Sequence, residues 1–494
     1  MNAIVSSGNP HETWVSAFDS KLMSEIQPVY WISDGNIDKD HLKSTFPNLV
    51  HHDAIDCIHG RFPEPFNFNE PFPYPLDKKL LRNFSETQVE SMKMMDRMDP
   101  GNVIYKNFTY IERVRHYHRL LSHWLRIISD LEINVAIFSS TPHMISDFIM
   151  YSVCKYYDID TLIIEQTHLP GIFVAREHIH QMKLQSPPLS SDPNIPSRFQ
   201  SHISDIRSNK TKPIHVRRKH VSTEKMIFFK IRDIIKEMMF GHSTVSKLKQ
   251  PKYLKNYNGP VEESQMNDVS WFMYRLKSLL YKRKLKKYYS KLSMCPNLDH
   301  NYIYFPLHYQ PEKTSSPMIE HLSHQYLIAN LLSHELPSGY FLYVKEHPSQ
   351  FSPMVKGEQG RTFEFYDDLQ NLDSTKLIDY SWNNRDLIDS SLAVATGTGF
   401  SGWEALLRGK KVLSFGTSWY GSAKGCYNIE SGDDLRMALD SIIEDPLQES
   451  NITNLFVANF VNNSYDLNNY LNDKNPKKSM LIKIITDQVI SQSN

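Results

Sequence analysis

Two glycines, Gly397 and Gly399, stand between a short apolar run at 392–396 and a helical run that opens at Ser401, and a third, Gly402, lies in its first turn. A strand that ends in small residues and opens a helix leaves backbone N–H groups aimed at one point. The helix dipole adds partial positive charge there. Such a turn, lined by Thr396, Gly397, Thr398, Gly399 and Ser401, can hold a phosphate or another anion. The glycines also satisfy G-x-G-x-x-G, the spacing of a dinucleotide site. That site needs a carboxylate at the end of the next strand, about 20 residues on, for a ribose hydroxyl. The next apolar run, 411–415, ends instead in Gly416, Thr417, Ser418, Trp419 and Tyr420, and the loop lies late in the chain. An anion site is expected, and a dinucleotide oxidoreductase is not. Ser401 and Glu404 have the S-x-x-E spacing of a capping box, which is one reading of Glu404. The other sets its carboxylate in a cleft, accepting from the ribose hydroxyls of a nucleotide.

Two more polar loops follow apolar runs that read as strands. His308, Gln310 and Glu312 come after 302–305, and Lys345, His347 and Pro348 end or follow 340–345. Ligands of an open α/β sheet bind at the carboxyl ends of its strands. The three loops therefore converge on one place. A lysine, two histidines and a helix N-terminus make an electropositive pocket suited to a phosphate or pyrophosphate. In the first third of the chain, 139–143 and 165–168 also follow strands. His143, Asp147, Glu165 and His168 are candidate general bases there, each equally readable as a cap or a core residue. Asp147 lies one helical turn beyond His143, so the two can share a face. Ser7 to Glu12 form another polar loop, with no recognisable strand before it.

The elements that must position these residues alternate. Strands are expected at 28–33, 133–138 and 161–165, with helices at 103–128 and 144–157. The same rhythm returns with strands at 302–305, 340–345, 376–379, 392–396 and 411–415. Helices at 321–336, 386–390, 401–408 and 433–444, and further helices over 450–490, complete it. Strand–helix–strand repetition predicts parallel sheets in an α/β fold. Residues 178–222 are polar and read as a long loop or insertion. Residues 223–294 read as a helical connection that becomes basic over 275–291, where Arg275, Lys277, Lys282, Arg283, Lys284, Lys286, Lys287 and Lys291 fall. Such a helix can lie on an anionic membrane surface or simply face water.

At 494 residues the chain has room for two or three domains, and 40% apolar with 12% aromatic residues is a globular composition. A net charge of zero gives no field for nucleic acid. The four cysteines, Cys57, Cys154, Cys295 and Cys426, are far apart and form no C-x-x-C pair. Neither a disulfide framework nor a zinc site is expected, and a reducing cytoplasm fits. The first residues lack the pattern of a signal peptide, and no apolar run is long enough to predict a membrane span.

The runs 302–312, 344–348 and 396–410, in this order and spacing, resemble the capsule polysaccharide biosynthesis family. That family includes glycosyltransferases that use cytidine-monophosphate sugars, Kdo transferases among them. The resemblance is close over 285–420 and weaker over 131–175. It implies a GT-B-like fold, two Rossmann-like domains facing across a cleft, with a helical basic middle segment. Residues 1–222 would be the acceptor domain, 223–294 the connection, and 295–494 the nucleotide-sugar domain with C-terminal helices. The resemblance gives His347 and Pro348 to the donor phosphate, Thr396 to Ser401 to the phosphate-cradling turn, and Glu404 to the ribose. Gln310 and Glu312 match the family's first loop without a role. The activity implied is metal-independent transfer of a sugar from a nucleotide donor, expected to be a CMP-sugar, to a surface or capsular polysaccharide. The donor is then a substrate, and no cofactor and no metal are expected. The partners are the donor, an oligosaccharide, polysaccharide or glycolipid acceptor, and the inner face of a membrane through 275–291. The same frame also admits a polyol-phosphate transferase with a CDP donor, a UDP-sugar epimerase, or a non-enzymatic capsule assembly or export factor.

Overall fold

The computed structural model describes the chain except residues 35, 99–108, 181–194, 196, 209–251, 257–260, 266–267, 354, 446–449 and 492–494. Runs such as Ala3-Ile4-Val5, Tyr30-Trp31-Ile32 and Val135 to Phe138 are apolar on both faces, as parallel strands covered on both sides must be. Strands β1 (Asn2–Ser6), β2 (Gln27–Ser33), β3 (Val50–Asp53), β4 (Val135–Phe138) and β5 (Asp160–Gln166) pair in parallel in the order β5-β4-β1-β2-β3. Strand β6 (Ile172–Arg176) adds to β5 in the opposite direction. Strand β1, at the centre of this sheet, is absent from the sequence reading because its apolar run is only Ala3-Ile4-Val5, shorter than a strand signal, although the turn residues Gly8, Asn9 and Pro10 follow it. Helices Tyr110–Asp130 and Ile145–Tyr156 cover one face with Tyr117, Leu121, Trp124, Phe148 and Ile149. Thr109 and Glu112 close a capping box at the first helix, and the part of its expected span at 103–108 lies outside the described residues.

A two-stranded ladder, β7 (Lys252–Asn256) with β8 (Val261–Gln265), precedes the second sheet. That sheet holds β9 (Tyr302–Pro306), β10 (Phe341–Lys345), β11 (Thr375–Ile378), β12 (Ala393–Thr396), β13 (Lys411–Ser414) and β14 (Cys426–Asn428). All are parallel, in the order β11-β10-β9-β12-β13-β14. Counted from β9 this is 3-2-1-4-5-6, the Rossmann order, and the first sheet follows 3-2-1-4-5. The chain is thus mixed α/β with two Rossmann-like domains, as expected. In each, the direction of winding reverses between the first and fourth strands, and the crevice above that reversal is where ligands sit.

Three expected boundaries differ. Within the expected loop 178–222, residues Ser197–Arg207 form a helix whose Phe199, Ile203 and Ile206 pack with Leu406 and Leu407 of the second domain; most of the remaining residues lie outside the described ones. In the expected connection 223–294, residues 223–251 lie outside the described ones. Helix Asp268–Leu292 belongs to the second domain's core through Leu285 and Tyr289. Lys282 turns inward from it, bonding the carbonyls of Ser352 and Val355 at 3.0 and 2.8 Å, with Glu358 3.3 Å away. Finally, the span 295–494 does not stay in the second domain. Strand β15 (Tyr465–Asp466) pairs with β6. Helix Pro476–Ile485 buries Met480, Leu481, Ile484 and Ile485 against Trp14, Val15 and Phe18 of helix His11–Phe18. An apolar stripe says that a helix face is covered, not by what.

Candidate functional site

At the reversal in the second sheet, the loop after β9 and the glycine turn after β12 lie side by side. His308 fills the turn. Its Nε2 accepts from the backbone N–H groups of Gly397 and Thr398 at 3.0 and 3.4 Å, and lies 3.3 Å from Thr396 Oγ1. Burial, and then the nearby Arg361 guanidinium, push this imidazole down to about 4, so it is neutral and can accept. Gly399 N–H bonds Thr396 Oγ1 at 3.1 Å. The expected anion cradle is therefore corrected. Its first N–H groups, and His308 itself, serve the protein rather than a ligand. The glycines answer to close packing too: a side chain at Gly397 would collide with Ile319, and one at Gly402 would lie 2.5 Å from the Tyr420 hydroxyl. The anion-binding capacity that remains is at the helix Phe400–Leu407, capped by Gly399 with no side-chain bond. The N–H groups of Phe400 and Ser401 have no acceptor among the described residues, and Ser401 is half-buried.

Glu404 is not part of a capping box, because the N-cap is Gly399 and Ser401 lies inside the helix. Its side chain is 12% exposed, with Oε1 3.4 Å from Arg385 Nε. Burial raises its pKa, against the pull of Arg385 and Arg408. Among the described residues the ion-pair partner of this carboxylate is Arg385, at Oε1.

The other two loops are braced from below. Arg361 is fully buried. It donates to Glu346 Oε2 at 2.7 Å, to the His308 carbonyl at 2.9 Å and to Gln310 Oε1 at 2.5 Å. Glu346 also accepts from Tyr366 Oη at 2.6 Å and from the His347 N–H at 2.7 Å. Gln310 further donates to the Ser323 carbonyl at 2.6 Å and exchanges two bonds with Gln350. Gln310 is thus a framework residue. Glu312 is exposed and accepts from Thr314 Oγ1 at 3.0 Å. Lys345 is buried at the end of β10, donating to the Tyr380 carbonyl at 3.2 Å. Burial pushes its ammonium down to about 8, although Asp379 and Glu346 oppose this. His347 Nδ1 accepts from the Ser349 N–H at 3.1 Å, which fixes the ring beside the exposed Pro348.

The first domain meets these loops directly. Glu165, at the end of β5, pairs with Arg176, accepts from Thr141 Oγ1 at 2.5 Å and receives Lys313 of the second domain at 2.9 Å. Burial alone would raise its pKa, but the two cations carry it down to about 2. A carboxylate this acidic and this fully paired is a poor base. Asp147 accepts from the Met144 N–H at 2.8 Å and caps its helix, while His143 Nδ1 bonds the Thr141 carbonyl at 2.7 Å. The three expected catalytic residues share one end of the first sheet, and each is engaged with the protein itself. His168 accepts from Trp419 Nε1 at 2.9 Å, again across the domains. Further contacts run from Ser316 to Glu90 at 2.9 Å and from Lys93 to the Glu320 carbonyl at 3.2 Å.

Sequence reasoning missed Arg361 and Arg385, which lie outside every motif, and Lys313, which stands one residue past the 302–312 run. It also missed the chain Ser7–His11–Asp34 behind β1. Here Ser7 Oγ lies 3.0 Å from His11 Nδ1, and His11 Nε2 lies 2.8 Å from Asp34 Oδ1.

Residues 320–464 match the model of the family described as capsule polysaccharide biosynthesis protein. Among curated proteins no sequence matches the chain. Solved structures with a similar course include the UDP-GlcNAc 2-epimerase of Methanocaldococcus jannaschii, 11% identical over 92% of this chain and 98% of that one, TM-score 0.24. The beta Kdo 2,7 transferase KpsC of Thermosulfurimonas dismutans is 12% identical over 74% and 89%, TM-score 0.29. A glycosyltransferase of Rickettsia africae is 11% identical over 99% and 98%, TM-score 0.26.

Proposed function

We propose that this chain, a member of the capsule polysaccharide biosynthesis family through residues 320–464, is a glycosyltransferase. It moves a sugar from a nucleotide donor, a CMP-sugar, to a growing surface or capsular polysaccharide. The second domain takes the donor and the first domain the acceptor. The observation that carries this reading is the crevice at the second sheet's reversal. There helix Phe400–Leu407 begins with two N–H groups that have no acceptor among the described residues and carries Glu404, while Lys345 ends and His347 follows β10, the strand next to β9. Their chemistries match the parts of a nucleotide: N–H groups, Lys345 and His347 for phosphate, Glu404 for ribose hydroxyls.

In this mechanism no metal takes part. Negative charge grows on the nucleotide phosphate as its bond to the anomeric carbon breaks, and fixed N–H dipoles and Lys345 stabilise that charge where it develops. Closure of the two domains over the bound donor excludes water, which would otherwise hydrolyse it. We place the protein in the cytoplasm at the inner face of a membrane. Lys277, Arg283, Lys284, Lys286, Lys287 and Lys291 are all exposed on helix Asp268–Leu292, and this basic face suits anionic lipid. No helix among the described residues is long and apolar enough to cross a membrane.

The test is to incubate the protein with CMP-, CDP-, UDP- and GDP-sugars and follow nucleotide release. CMP release is the expected result. Transfer of a cytidine-linked phosphate group would instead make it a polyol-phosphate transferase, and interconversion of a UDP-sugar an epimerase. Binding of no nucleotide would leave only an assembly role. For the membrane, flotation with phosphatidylglycerol vesicles should carry the protein and fail once Lys284, Lys286, Lys287 and Lys291 become Glu. Equal flotation of both proteins overturns the contact.

A further inference from the structure

We propose that Ser7, His11 and Asp34 form a proton relay that takes the proton from the acceptor hydroxyl. This rests on the glycosyl-transfer reading above. The relay stands where the first sheet reverses, between β1 and β4. Ser7 directly follows β1 and Ser139 directly follows β4, and the two loops touch: a Cβ added at Gly8 would lie 2.9 Å from Ser139 Oγ. This is the first domain's equivalent of the crevice between β9 and β12 in the second.

His11 is the first residue of helix His11–Phe18 and is 2% exposed, its ring fixed between Ser7 and Asp34. Asp34 is 42% exposed at the side chain. Its carboxyl is held below the usual range, first by the Asn36 N–H and further by His11 and Asn9. An ionised carboxylate only accepts. His11 Nε2 must therefore carry a proton, and in the relay the neutral ring turns its Nδ1 lone pair to the Ser7 hydroxyl. Trp31 Nε1 donates to Ser7 Oγ at 2.9 Å, which uses one of the two oxygen lone pairs. The second is left for an incoming hydroxyl at a half-buried residue. His51 of β3 also faces His11. Burial, then Lys39, push it down to about 4, so it adds no charge.

The step balances. The acceptor hydroxyl gives its proton to Ser7 Oγ as the Ser7 proton passes to His11 Nδ1. The acceptor oxygen bonds to the anomeric carbon while that carbon's bond to the nucleotide phosphate breaks, and the electron pair leaves with the phosphate. The imidazolium is stabilised by Asp34, and once the product has left it returns the Nδ1 proton through Ser7 to water, which restores the ring protonated at Nε2. Glu165, Asp147 and His143 are engaged elsewhere, whereas this chain ends in an oxygen that can receive a proton.

Two measurements on the full chain test it. Nitrogen-detected NMR of the histidine rings should find His11 protonated at Nε2 at neutral pH, with Ser7→Ala shifting its Nδ1 resonance. A ring protonated at Nδ1 instead overturns the relay whatever the activity. With whichever donor of the nucleotide-sugar panel is turned over, Ser7→Ala and Asp34→Asn should lower kcat by about a hundredfold or more. Affinity for the free nucleotide and the melting temperature should stay unchanged. Unchanged kcat overturns the relay alone. Absence of turnover in the unsubstituted protein fails the glycosyl-transfer reading itself, so the two failures are distinguishable.

Discussion

His308 accepts the N–H bonds that the glycine turn was expected to offer a ligand. The sequence pattern is the same for a turn that cradles phosphate and for one that cradles a neutral imidazole, since both need closely approaching backbone and no side chains. What separates them is a residue about 90 positions away, and no local reading reaches it. Glu404 runs the other way. Its spacing from Ser401 suggested a cap, yet the helix starts two residues earlier than that box requires, and the carboxylate is set beside Arg385 instead. If Glu404 meets a ribose, Glu404→Gln should weaken nucleotide binding about tenfold, the loss expected when one charged hydrogen bond goes. The melting temperature should hardly move. A calorimetric titration beside a thermal scan would read both, and a lower melting point with unaltered affinity would give Glu404 a structural role only.

At the level of elements, most strands and helices were legible because apolar runs bounded by turn residues repeat with βα spacing. Strand β1 was not, and with it went the meaning of the polar loop at 7–12. Tertiary bracing was invisible for a similar reason. Arg361 and Glu346 are 15 residues apart on different loops; Arg361 lies outside every motif, and Glu346, inside the 344–348 run, was given no role. Together they tie the loops after β9 and β10 at a fixed separation. Arg361→Met should destabilise the fold by roughly 3–5 kcal/mol, because it leaves Glu346 charged and alone in the core. Arg361→Met with Glu346→Gln should recover a large part of that. Denaturant unfolding of the two variants makes the comparison, and equal losses would mean that packing, not the stranded charge, sets the cost.

The two halves of the molecule were legible as two rounds of the same alternation, but their mutual contacts were not. Glu165 was read for its own loop alone, and Lys313, one residue past the 302–312 run, was not read at all. Their pairing makes domain contact sensitive to acid. The folded carboxyl is lowered from 4.5 to about 2, so its stabilisation is complete above about pH 4.5 and is lost as pH falls toward 2. The unsubstituted protein should therefore melt higher than Glu165→Gln at neutral pH, and the gap should close across that acid window. A gap independent of pH would show that Glu165 acts by shape rather than charge. The return of helix Pro476–Ile485 to helix His11–Phe18 concerns the order in which this molecule can be made. A ribosome emits Trp14 and Phe18 long before the residues that cover them. At about 5–20 residues per second the interval is on the order of half a minute to a minute and a half. Throughout it the nascent first domain presents an uncovered apolar face, and it matures only after the second domain has been synthesised. Such a chain has reason to engage a chaperone early.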